Sequence, residues 1–148
     1  MKKLSLVLLL LLCASCLIFG QASSSRRRLF SEALDTVGKR VPSGWIEHNG
    51  LFWKSRDIPI GKDYIALTVN GDIVEQAIVG RLVADYRAQS RWLKESYDTL
   101  VADGWTSILD NGEGSWVLLK GNRMVSGVFT TTDGTLSSAV VFIKYPSN

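Results

Sequence analysis

The pattern of apolar and polar positions changes period along the chain, and each change predicts an element. Residues 4–19 are apolar almost without interruption. Within residues 29–37, Leu29, Phe30, Ala33, Leu34 and Val37 recur at helical spacing, which suits a short amphipathic helix. "GLFWKS" reads as a short strand, and "DYIALTVNGDIVEQAIVG" as a hairpin, with β-branched residues on both sides of Asn70-Gly71, a pair that accepts the positive φ of a tight turn. A rival for its second half is a helix, with Asp72 and Glu75 as a capping box and Ile73, Val74, Ala77 and Ile78 at i,i+4 spacing. The strand is preferred because Val79-Gly80 would weaken a continuous helix.

From Arg81 to Asp103 the period is helical. Leu82, Tyr86, Leu93, Tyr97 and Leu100 share a narrow arc, extended by Val83 and Val101, while Arg87, Arg91, Lys94, Glu95 and Asp98 lie opposite. Gly104 suits the position just past the helix end, with Trp105 packing back on the last turn. "WTSIL", "SWVLLK", "RMVSGVFTT" and "TLSSAVVFIKY" then alternate with period two. Turns at Gly121-Asn122 and Asp133-Gly134 make the last three strands antiparallel neighbours. Val140 to Ile143 are all apolar, which places the last strand centrally. The expected architecture is α+β and two-layer, a mostly antiparallel sheet with one long helix on one face. No internal repeat is visible. The strands 116–119 and 140–143 are apolar on both sides, so a face left bare would be an interaction surface, covered by the 29–37 segment, by a curled sheet or by a partner, with a homodimer the simplest.

The first 22 residues have the layout of a secretory signal peptide: Lys2 and Lys3, an apolar run short for a membrane span, and Gly20-Gln21-Ala22 with small residues before a cut at Ser23. The alternative is lipidation at Cys16, after Ala14-Ser15; Cys13 stands where an aliphatic residue is expected and Leu17-Ile18-Phe19 would follow the lipid. Residues 23–44 read as a linker or tail carrying the short helix, and 45–146 as a single domain. Arg26, Arg27 and Arg28 suggest peripheral contact with an anionic membrane surface, against the plainer reading of a frayed or docked helix. Leu29, Phe30 and Trp92 are candidate partner contacts, Trp92 because it lies off the apolar arc of the long helix.

Charge and composition remove several function classes. From Trp45 onward ten Lys and Arg face twelve Asp and Glu, a net charge of −2, so the basic excess of the whole chain belongs to its first segment. A nucleic-acid surface wants its basic stripe on the domain, and none is expected. Both cysteines fall in the leader, and the single His, His48, sits beside Asn49-Gly50 as a solvated turn residue. No metal site or cofactor follows from these residues. Asp110-Asn111-Gly112-Glu113 lacks the spacing of a calcium loop and reads as a turn. Ser43, Ser55 and Ser115 sit in no nucleophile elbow, and there is no Walker loop or dinucleotide fingerprint. No catalytic residue is assigned, and His48→Ala is expected to leave any activity intact.

A helix ending "LVADGW", then "LLKGNRMVSGVF" and a closing "AVVFIKY", resembles small exported bacterial proteins and lipoproteins of uncharacterised function. The resemblance covers about the last sixty residues. It implies an envelope location and brings no activity or site residues. The expected function is a non-catalytic interaction or accessory protein of the bacterial envelope, periplasmic, secreted or lipid-anchored. The alternatives are a carrier of a small apolar ligand between helix and sheet and, behind it, a hydrolase with a serine or carboxylate site.

Overall fold

The structure, a computed structural model, describes residues 24–110, 114–132 and 135–144. The leader and Cys16, the turn at Asp133-Gly134, most of the 110–113 loop and the residues after 144 lie outside the described residues. Among them the chain is α+β. The elements are α1 (residues 24–36), β1 (Ile46–His48), β2 (Leu51–Ile58), β3 (Gly61–Asn70), β4 (Ile73–Leu82), α2 (Tyr86–Ala102), β5 (Thr106–Asp110), β6 (Trp116–Lys120), β7 (Arg123–Thr132) and β8 (Thr135–Lys144).

All eight strands form one sheet in the order β1-β2-β3-β4-β8-β7-β6-β5. Every neighbouring pair is antiparallel. The first meander, β1 to β4, grows inward from one edge, and the second, β5 to β8, grows inward from the other. They meet where β4 pairs with β8, so the last strand is central as its apolar run requires. A helix precedes each meander.

The Asn70-Gly71 hairpin forms as expected, with Asn70 opposite Ile73. Its second strand carries a bulge: Val69 faces Val74, but Thr68 faces Gln76, leaving Glu75 as an extra residue. The bulge turns both Val74 and Ala77 inward, to 1 % and 0 % exposure. A three-residue interval between inward positions is what gave this strand its false helical period.

The long helix is shorter than its sequence pattern. Arg81 and Leu82 finish β4 in register with Asp63 and Lys62. Asp85 then caps α2, its side chain accepting from the Arg87 amide at 2.9 Å. At the other end Trp105 N donates to Leu100 O and Gly104 N to Val101 O, the Schellman pair, with Gly104 at φ +87°. Trp105 packs back as expected and meets Phe142 edge-on at 6.3 Å.

Among the described residues there are two helices, the long one and the short amphipathic one expected within the tail, and the short one is part of the fold. The segment read as a linker is α1, docked into the same core as the strands: Phe30, Ala33 and Val37 are buried there, and the Phe30 ring lies 5.4 Å from that of Phe142. The packed unit therefore begins ahead of Trp45. Phe30, a candidate partner contact, is 3 % exposed, and Leu29 is half-buried against the core. Trp92 is corrected likewise, at 2 % exposure. The buried stripe of α2 is Gln89, Trp92, Leu93, Ser96, Thr99 and Leu100. Ser96 and Thr99 tolerate burial because each hydroxyl donates to a carbonyl one turn back, Trp92 O and Glu95 O, both at 2.7 Å. An arc drawn through apolar residues alone, and anchored on the strand residue Leu82, is rotated away from it.

Candidate functional site

Register sorts the strand residues into two faces. Ile65, Leu67, Ala77, Val79, Val125, Leu118, Val140 and Phe142 share a cluster with Phe30, Ala33, Trp92, Leu93 and Leu100, so both described helices pack on that side. The opposite face holds a cross-strand row that runs Trp53, Ala66, Ile78, Val141, Ser126, Val117. The adjacent row runs Ser55, Tyr64, Gly80, Ala139, Val128. Trp53, Ile78, Val117, Val128 and Val141 are only half-buried. The segment 29–37 does not reach this face, because α1 lies on the other.

One corner of this bare face is hollow. A pocket of about 490 Å³ has Tyr64, Ala66, Ile78 and Leu82 as its floor. The β1–β2 hairpin supplies one wall, with His48, Asn49, Leu51 and Trp53, while Lys62 and Thr130 complete the rim. The wall is raised by a tight turn in which Asn49 at φ 52° and Gly50 at φ 75° take the left-handed conformations that the sequence suits. Trp53 is held by its indole N–H donating to His48 O at 3.3 Å and by its ring against Tyr64 at 5.4 Å. Tyr64 is fixed in turn by its hydroxyl, 3.3 Å from Ser137 Oγ. The solvated turn residue His48 is thus also a pocket wall. Its Nε2 lies 3.3 Å from the Asn49 amide nitrogen, and among the described residues no carboxylate or serine is hydrogen-bonded to it.

On the helix side sits a charged cluster that the sequence pattern did not reveal. Asp63, 2 % exposed, accepts from Arg81 at 2.7 and 3.1 Å and from Arg56 at 3.3 Å. The Arg81 guanidinium lies 5.7 Å above the Trp92 ring. Arg26, on the inner side of α1, bonds Glu95 Oε2 at 2.5 Å and Thr99 Oγ1 at 3.4 Å. Burial lowers the Arg26 pKa, and Glu95 opposes the shift. Arg27 reaches Asp103 at 3.1 Å. Two of the three consecutive arginines therefore tie α1 to α2, Arg26 from a buried position and Arg27 from an exposed one.

The buried carboxylate of Asp63 is paired with two guanidinium groups, and among the described residues the pocket pairs no nucleophile with a base. Among the described residues no three His, Cys, Asp or Glu converge as metal ligands, and no helix is long and apolar enough to cross a membrane. No protein-family model matches the chain, and no curated protein or solved structure shows significant similarity to it, so its function is argued from this geometry alone.

Proposed function

We propose that this is a non-catalytic binding protein of the bacterial cell envelope that engages its partner through the bare face of the sheet. The two helices form one layer and the sheet the other, so the second face is left for another molecule. The observation that carries this reading is the row Trp53, Ala66, Ile78, Val141, Ser126, Val117, an almost wholly apolar line across six strands on the side away from both helices. Contiguous exposed apolar surface of this kind marks interaction sites. Export is supported by the leader-like first 22 residues. A second copy of the chain is the simplest partner.

The test is the concentration dependence of the mass in solution, for the full chain and for Ile78→Lys and Val141→Lys, half-buried positions on that face, with each variant's unfolding midpoint measured to show that it folds. Dimerisation, or binding of a hydrophobic dye, that both variants abolish is the expected result. A chain that stays monomeric at high concentration and binds no dye would overturn the reading.

The pocket favours a second reading, a carrier of a small apolar ligand. Its volume lies within the range of small-molecule sites, and its apolar floor with a few polar groups at the rim matches their chemistry. This ligand would sit on the bare face, beside Trp53, and not between helix and sheet. Mass spectrometry of the protein purified from its host distinguishes the two, since a carrier retains a small apolar molecule and Ala66→Trp would displace it.

A further inference from the structure

A second hollow lies on the other side of β2, where α1 crosses the sheet edge. It is a cleft of about 300 Å³ lined by residues that include Ser25, Arg28, Lys54, Arg56, Glu32 and Asp63. Three cations thus face one small cleft, two of them forked guanidinium groups. The acids in the lining are already committed. Asp63 is held from behind by both arms of Arg81, and Glu32 is bonded to Lys54. Arg56 bonds Ser25 Oγ at 2.9 Å and Asp63 through a single nitrogen, NH2, and its side chain is 53 % exposed. Arg28 makes no ion pair among the described residues, although Arg26 and Arg27 beside it both do. The lining, with Arg81 counted behind Asp63, carries two positive charges in excess.

From this juxtaposition of Arg28, Lys54 and Arg56 around one cleft, we propose that it binds a phosphate group, carried either by a small soluble ester or by a lipid headgroup. Three converging donors suit the three free oxygens of a phosphate monoester, and guanidinium forks bind such oxygens in pairs. A diester headgroup offers two free oxygens and engages the two arginines. The hydroxyl of Ser25 is placed to donate to the same anion. Leu29 and Ile65, also in the lining, give the organic part of the ligand an apolar surface. The site is separate from the bare face and does not depend on it.

The test uses the full chain, held in a sulfobetaine detergent for calorimetry and freed of detergent before vesicles are added. Glycerol phosphate is titrated by calorimetry, and binding is compared on vesicles of phosphatidylcholine with and without phosphatidylglycerol. Arg28→Gln, which breaks no ion pair among the described residues, is expected to weaken glycerol phosphate or the phosphatidylglycerol-dependent part of vesicle binding at least tenfold. Arg56→Gln should do the same, while Arg27→Gln, whose partner is Asp103, should not. Loss confined to glycerol phosphate identifies a soluble ester, and loss confined to vesicles a headgroup. Neither ligand binding, or binding that Arg28→Gln leaves unchanged, would overturn the proposal.

Discussion

Tyr64 stands directly opposite Gly80, and its ring lies across that glycine: a Cβ at Gly80 would come within 2.1 Å of Tyr64 Cζ. Trp116 covers Gly127 in the same way on the other face, at 2.2 Å. A glycine inside a strand ordinarily weakens it, so alanine there would normally stabilise. Here the sign reverses. Gly80→Ala is expected to cost about 1–3 kcal/mol by overpacking, read from the urea midpoint. In a Tyr64→Ala background the same change should be neutral or stabilising. Equal effects in both backgrounds would show that the ring is not held on the glycine.

Asp63 holds two arginines from a buried position. Asp63→Asn keeps the shape and removes the charge, leaving Arg81 facing an amide under α1. The expected loss is about 3 kcal/mol. Arg56→Gln, at the exposed end of the cluster, should cost less than about 1 kcal/mol. Equal losses from the two variants would contradict this ranking.

Trp92 distinguishes core from contact surface. Trp92→Ala is expected to cost about 3–5 kcal/mol in thermal or denaturant unfolding, with most of the change in the unfolding midpoint. A variant of unchanged stability that loses only a binding partner would place Trp92 outside the core.

Removing α1 tests where the folded unit begins. A chain starting at Ser43 loses Phe30, Ala33 and Val37 from the core and the Arg26–Glu95 and Arg27–Asp103 pairs from α2. It is expected to lose its cooperative unfolding transition, or to aggregate through the uncovered Phe142 side of the sheet. A sharp transition at the full-length midpoint would show that α1 contributes nothing to stability.

Much of the fold was legible because it rests on local chemistry. Asn70-Gly71 and Gly121-Asn122 mark their turns, Gly104 marks the end of α2, and the run at Val140 to Ile143 marks a central strand. The charged cluster was hidden by one residue. A straight count from the Asn70-Gly71 turn sets Asp63 against Gly80, and only the bulge at Glu75 moves the partner to Arg81. Tyr64 reaches Gly80 by the same shift. The pocket was hidden for another reason. Its wall belongs to a hairpin whose three-residue first strand, Ile46–His48, is too short to show alternation. Trp92 was misread because Ser96 and Thr99 satisfy their own hydroxyls and are buried, which apolar periodicity does not register.

The order helix, four strands, helix, four strands, with the two meanders meeting at β4 and β8, gives the molecule an approximate internal dyad. Antiparallel partners across such a seam are interchangeable between molecules, because the second half of another chain offers the same β8 edge to β4. Residues 83–85, the link from β4 into α2, are then the hinge on which half a molecule can be traded for its counterpart. Interlocked dimers of this kind are expected on refolding at high concentration and should persist on dilution, unlike pairs that merely rest against each other's apolar face, and the mass in solution before and after dilution checks it.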